Sequence, residues 1–566
     1  MTTDLLILGT GGAGLMAALH ARWLDPSLGI LLVSKGLLGK SGCTRMVQGG
    51  YNAVLDARDS VQAHFEDTVR GGGFLNDQEL AWTLCEDAPR VVLELENKIG
   101  CLFDRAPDGR IHQKAFAAQT FDRTVHVGDL TGIEIMARLR DQVLALGIPC
   151  LEETRALELL TSAGGSRVCG AVLLDQRSGE FIAVRARAVL LATGAGPLMY
   201  QRAACAQEKT CDGLAAAFRA GAHLMDMEMV QFHPTGMVVP GSRLNGALLE
   251  EGLRGAGAHL FNGRGERFME RADPGRKERS TRDRVSRECF TEIAEGRGTA
   301  NGAVWIDVAH LGAEFVETNF AGMRERCLRL GVDLARERIE VAPTAHFNMG
   351  GVRINRDGFT NLAGLFAAGE DAAGVHGANR LGGNGVAEST VFGARAGEAA
   401  ARWVKGQSHG DIETAQVDVA VAAAGKILNP QSSILNRQSE GPFALRDELG
   451  KLMWEKAGII RSGAGLRAAL EGLAALRARV EQLRVPGPRA FNLAWQQALD
   501  LHNLLTASEL IARSALLREE SRGAHYRSDF PQSNDTAWLK NIVLSAGAEG
   551  PQVETAPVRT SRLAPP

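Results

Sequence analysis

Apolar residues fall on two periods along this chain, and the switches between them mark its elements. A short apolar run, Asp4–Leu8, leads into a helical pattern reaching about Ala21, and a second run follows at Gly29–Ser34. Strands buried on both faces read as short, nearly continuous apolar runs, whereas the helices between them repeat apolar residues every three or four positions. On that basis helices are predicted over His64–Gly73, Gln78–Ile99 and Thr131–Leu144, and strands over Cys150–Leu157 and Val168–Leu174. Ala188–Tyr200 carries another buried strand that ends in Thr193–Gly194–Ala195–Gly196, and Asp212–Gly213 opens the next helix.

From Met227 the texture shifts to short strands, glycine-rich turns and one charged helix, Ser280–Glu295. The strand–glycine–helix order resumes with the strand Leu365–Ala368 and the helical pattern Val386–Ala401. Trp403–Ser433 reads as a connector, and Leu445–Leu483 and Phe491–Glu520 as long amphipathic helices. Gly547–Pro566, rich in Pro, Ala and Thr, reads as a mobile tail. The expected fold is α/β: a discontinuous doubly wound domain of residues 1–230 and 347–405, an inserted α+β capping domain over 231–346, a helical domain over 406–545 and a flexible tail over 546–566.

Composition narrows the classes of function. A chain of 566 residues exceeds one core and requires several domains. A net charge of −3 gives no footprint for nucleic acid or an anionic membrane. No apolar run reaches spanning length, and the nine cysteines form no CxxC pair, so neither a membrane span nor a metal cluster of the chain's own is expected. A cytoplasmic protein with reduced thiols fits these features.

Candidate chemistry gathers at the glycine-rich turns. GTGGAG, with Gly9, Gly11, Gly12, Ala13 and Gly14, lies between a strand and a helix, where glycines let backbone N–H groups approach a pyrophosphate. The second strand ends in Ser34–Lys35 rather than in an acidic residue, which argues against a plain NAD site. SGCTRMVQGGY holds Cys43, Thr44, Gln48, Gly49 and Gly50 in a second close-contact loop. Further on, PTAHFNMGG carries His346, the strand Leu365–Ala368 ends at Gly369–Glu370, and HGANRLGGNG places Arg380 before Gly385–Val386. An arginine fork on such a loop suits a carboxylate. Taken singly, each also has a structural explanation: a tight loop, a satisfied core histidine, a helix-start charge or a surface ion pair.

Taken together, GTGGAG, the VQGG loop, QFHPTG, EEGLRGAG, TRDRVS, PTAHFNMGG, AAGE, HGANRLGGNG and ESRGAH…DFP occur in one order along nearly the full length. In this the chain resembles the flavoprotein subunits of succinate dehydrogenase and fumarate reductase, whose relatives include L-aspartate oxidase. The resemblance implies FAD in the first domain and a small dicarboxylate between that domain and the capping domain. It assigns Gly9, Gly11, Gly12, Ala13 and Gly14 to the pyrophosphate. Ser34, Lys35, Cys43, Thr44, Gln48, Gly49, Gly50, Thr193, Gly194, Asp212, Glu370, Gly385 and Val386 are assigned to the rest of the cofactor. It further implies substrate binding by His233, His346 and Arg380, proton transfer by Arg282, and a relay through Glu251 and Arg254. An iron–sulfur protein is the implied electron partner, with membrane association only through partner subunits.

Two departures from the family pattern stand out. Cys43 occupies the position at which relatives with covalent flavin carry a histidine, so a non-covalent FAD is expected. Glu250 stands where the family has a Thr or Ser whose hydroxyl binds a substrate carboxylate. Two facing carboxylates repel unless one is protonated or turned away. The other readings are an L-aspartate oxidase, or a flavin electron-transfer subunit without a substrate of its own.

Overall fold

The computed structural model describes residues 1–242, 244–429 and 441–565. Its centre is a seven-stranded sheet in the order Cys150–Leu151, Ile30–Val33, Thr2–Leu8, Phe181–Leu191, Val168–Asp175 and Thr154–Thr161, with Leu365–Ala367 pairing to Phe181–Leu191. Five strands run parallel, Cys150–Leu151, Ile30–Val33, Thr2–Leu8, Phe181–Leu191 and Leu365–Ala367, in register Leu6↔Leu31, Leu6↔Val189 and Phe366↔Leu190. Their apolar runs are buried on both faces, as a parallel sheet covered by helices demands. Two helices, Gly12–Leu24 and Asn384–Val404, pack closely against each other over this sheet. A Cβ at Gly393 or Gly397 would lie 2.5 Å from Ala13 O or 2.3 Å from Ala17 O, so these glycines permit the contact.

The inserted region forms its own four-stranded antiparallel sheet: Val230–Met237, Ile339–Asn348, Val304–Asp307 and His259–Phe261. A separate core that includes Leu249, Leu253, Leu260, Val285, Ile306 and Val341 holds it. The helix expected at Ser280–Glu295 spans Arg282–Ala294, with Thr281 at its N-cap.

Three expectations change. Leu445–Leu483 is two helices, Pro442–Ala457 and Gly463–Glu481, broken after Gly458, with the Ser462 side chain capping the second through Gly465 N–H. The connector contains a helix, Thr414–Lys426; its residues 430–433 lie outside the described residues. The flexible tail is instead largely paired: Gly550–Pro557 forms a hairpin with Lys540–Gly547, which itself joins Leu224–Met225 in a five-stranded sheet with Gly351–Arg353 and Ala372–Ala373. Main-chain pairing along the whole of Gly550–Pro557 supplies order that its composition does not advertise. Beyond it, Leu563 N–H donates to Gln78 Oε1, and Arg562 lies 4.2 Å from the ring centroid of Trp82.

Candidate active site

A cavity of about 480 Å³ runs from the carboxyl ends of the parallel strands to the sheet of the capping domain. Gly9 sits at φ +110°, and a Cβ there would overlap Ala192 O; a Cβ at Gly14 would overlap Gly9 O. The turn is therefore closed to other residues, which is the cradle a pyrophosphate needs at the start of a helix. No side chain caps the Gly12–Leu24 helix, and Gly12 N–H donates to Thr44 Oγ1 at 3.1 Å. Ser34, Lys35, Cys43, Gln48, Gly49, Gly50, Thr193, Gly194, Asp212, Glu370, Gly385 and Val386 also line the cavity, together with Gly11, Gly12 and Ala13. This long, glycine-walled trough fits a dinucleotide.

Several of these side chains are engaged within the protein. Asp212 accepts from Arg155 at 2.9 Å, Lys35 at 2.8 Å and Asn503 at 2.8 Å. Burial opposes its charge, but Arg155 and Lys35 hold the carboxyl well below its usual range. Lys35 Nζ also donates to Thr210 Oγ1 at 2.6 Å and to Asp500 at 2.7 Å. Glu370 pairs with Lys209, and its Oε1 accepts from Asn348 N–H at 3.1 Å. The N–H groups of Thr193 and Gly194 are both taken by Asp371.

At the other end the capping domain supplies the charge. Glu251 lies between two arginines: Arg254 Nη2 donates to its Oε1 at 2.7 Å, and Arg282 Nε donates to its Oε2 at 2.9 Å. Arg282 Nη1 donates to Gln231 Oε1 at 2.9 Å, and Gln231 in turn donates to Arg380 O at 2.8 Å. Burial alone would raise the Glu251 carboxyl, but Arg282 and Arg254 reverse that and keep it low. Arg254 lies behind Glu251, fully buried, with Glu278 O and Ser280 O accepting from its Nη1. Arg282 and Glu251 line the cavity, whereas Arg254 does not. A Cβ at Gly382 would meet Glu251 Oε2 at 2.2 Å, which ties the glycine loop to this carboxylate.

His233 and His346 come from neighbouring strands, and their rings meet edge to face with centroids 5.4 Å apart. Burial first, then nearby arginines, pushes both imidazoles well below their usual pKa, so both are neutral. Arg380 lies over the Phe347 ring at 4.3 Å, and its Nε has no protein partner. Burial, and then Arg282, lowers its guanidinium to about 9. A buried cation left in that state favours an incoming carboxylate.

Glu250 lines the same cavity and is 2% exposed. Its Oε1 accepts from Lys114, while its Oε2 has no partner. Burial raises its pKa despite Lys114. Lys114 therefore offsets part of the charge that Glu250 carries into the cavity. Lys114, Lys209 and Gln231 were missed by sequence reasoning. Each is distant in sequence from the carboxylate or arginine it serves, and no local motif marks the pairing; QFHPTG did bracket Gln231.

The FAD-binding domain family model matches residues 4–386, and the fumarate reductase flavoprotein C-terminal model matches residues 446–566. Over 552 residues, 96% of this chain and 97% of the relative, the sequence is 44% identical to one of the subunits of the fumarate reductase (CoM/CoB) of Methanothermobacter marburgensis. It is 37% identical over 560 residues to the 8-methylmenaquinol:fumarate reductase flavoprotein subunit of Wolinella succinogenes, covering 97% of this chain and 89% of that one. Among solved structures it superposes on the FrdA chain of E. coli quinol fumarate reductase with TM-score 0.93 and 33% identity, over 100% and 98% of the two chains.

Proposed function

Because this chain belongs to the family of fumarate reductase and succinate dehydrogenase flavoprotein subunits, with FAD as cofactor, we propose that it interconverts an unsaturated and a saturated C4 dicarboxylate, fumarate and succinate. The observation that carries this reading is the buried Arg254–Glu251–Arg282 relay opening onto a cavity where Arg380, His233 and His346 converge.

FAD, when bound, exchanges the electron pair of the alkene–alkane conversion. Arg380 takes one carboxylate in a charge-assisted pair, and the neutral imidazoles of His233 and His346 donate hydrogen bonds to the same or the opposite carboxylate. Positive groups concentrated at one end draw electron density toward that carboxylate and stabilise carbanion character at the adjacent carbon. A guanidinium is a weak acid. Against such a carbon Arg282 nevertheless delivers a proton from the guanidinium whose Nε and Nη2 Glu251 holds, and Glu251, backed by Arg254, passes a proton back to it. Closure of the capping sheet over the site keeps water from the reacting carbon.

The FAD is held without a covalent bond, with the Cys43 thiol taken up by protein contacts. Electrons pass to or from a separate iron–sulfur protein, consistent with relatives named as subunits. No helix among the described residues is long and apolar enough to cross a membrane, and any membrane association runs through partners. The test is turnover of purified, flavin-replete chain with an artificial electron donor and a panel of acids. Fumarate should be reduced, and acid precipitation should release the flavin. Rapid aspartate-dependent peroxide formation with no fumarate reduction would reject the reading in favour of an oxidase.

A further inference from the structure

Two cysteines meet in the wall of the cofactor cavity. Cys43 lies on the loop after the second strand, and Cys205 lies on the segment joined to the capping sheet by the Ala203↔Ala345 bridge. Ala206 N–H, one residue beyond Cys205, donates to Cys43 Sγ at 3.2 Å. That contact places the Cys43 sulfur within about 6 Å of Cys205 Cα, so the two side chains are neighbours in the cavity wall. Cys205 and Lys209 line the same wall of the cavity as Cys43. Both are free thiols in this structure, Cys43 half-buried and Cys205 buried.

We propose that Cys43 and Cys205 form a redox-active dithiol that exchanges an electron pair with the bound FAD. In the forward direction the two S–H bonds break and one S–S bond forms. The two electrons and two protons released convert FAD to FADH2, and the reverse restores the dithiol. The pair thus doubles the reducing equivalents held in one chain. The asymmetry of the thiols fits this chemistry. The neighbouring Cys205 thiol leads the effects that bring the Cys43 thiol down to about 7, with Lys209 assisting, while Cys205 is held well above its usual value. A thiolate beside a protonated thiol is the arrangement that lets one sulfur attack and the other leave. No further acceptor is required, because the flavin of the family activity supplies it.

The inference uses the FAD site but not the identity of the dicarboxylate, and its test uses none. Anaerobic titration of the holoenzyme with dithionite should take up four electrons per chain, against two in Cys205→Ser and in Cys43→Ser. Differential alkylation followed by peptide mapping of the parent should give a Cys43–Cys205 linked peptide from the oxidised protein and two alkylated cysteines from the reduced one. This second measurement needs no variant, so a folding defect in either substitution leaves the question answerable. Uptake of only two electrons by the parent, full alkylation of both cysteines in its oxidised form, or Cys43 recovered bonded to flavin would each overturn the proposal.

Discussion

Two buried networks in this molecule look alike on paper. In one, Asp212 joins Arg155 and Lys35, and Asp500 closes the set by accepting from both at 3.0 and 2.7 Å. In the other, Glu251 joins Arg254 and Arg282. The first balances two cations with two carboxylates and binds the parallel-sheet domain to the helix Leu493–Leu517. The second sets two arginines against a single carboxylate, and among the described residues the nearby Arg380 has no carboxylate within ion-pair distance. A balanced network satisfies itself and acts as a fastener. Both networks reach the cavity wall, the first through Lys35 and Asp212 and the second through Glu251 and Arg282, but the unbalanced one keeps a positive surplus that an anionic ligand would complete. Charge balance, rather than burial or residue type, separates the two clusters.

Substitutions can break that distinction, beginning with the largest effect. Arg282→Ala removes the proposed proton donor and part of the surplus, and turnover should fall about 10³-fold or more. Flavin content, read from the visible to ultraviolet absorbance ratio, should hold; near-parental turnover would refute the proposed role. Asp212→Ala should do the opposite. It leaves Arg155 and Lys35 short of an anion and should destabilise the protein by about 3 kcal/mol in chemical denaturation. Turnover per bound flavin should stay close to that of the parent, and a selective loss of turnover at unchanged stability would erase the contrast. Glu250→Thr frees Lys114 and deletes a buried acid from the cavity. Fumarate or succinate binding, followed by flavin absorbance, should tighten about fivefold; no change would place Glu250 outside the reach of the ligand.

The smallest effect concerns Glu388, another buried carboxyl, whose two oxygens have no partner. Burial, and then Glu370, lifts it from 4.5 to about 8. Because its folded-state pKa is raised, its contribution is fully present below pH 4.5 and is lost as pH rises toward 8. Glu388→Gln should therefore gain melting temperature relative to the parent as pH increases across that window. Parallel profiles for the two proteins would show that Glu388 is paired after all.

The nucleotide turn, the order of elements and the Glu251–Arg254 pair were readable in the sequence because each is local: glycines at fixed offsets, or charges three residues apart on one short turn. Glu251 and Arg254 fall in that class, being adjacent on a single turn. Lys114 does not; it reaches Glu250 across 136 residues from a two-residue strand with no pattern of its own. The strand Gly550–Pro557 escaped for a different reason. Its side chains are largely exposed, so its order comes from backbone pairing, to which composition is blind. The helix break after Gly458 was hidden because apolar periodicity continues on both sides of it, although Gly458 and Ser462 supply the stop and the cap.

That late hairpin bears on the sequence of events in biosynthesis. Asn541 donates to Asp226 across 315 residues of chain, and the neighbouring Ile542 N–H closes on the same carboxylate. Leu224–Met225 therefore waits for its edge partner while the whole capping domain and the helical domain are translated. Domains otherwise tend to fold in the order in which they emerge from the ribosome. Here the first domain to appear is among the last to be completed, and during that interval its open sheet edge is where a chaperone would be expected to act.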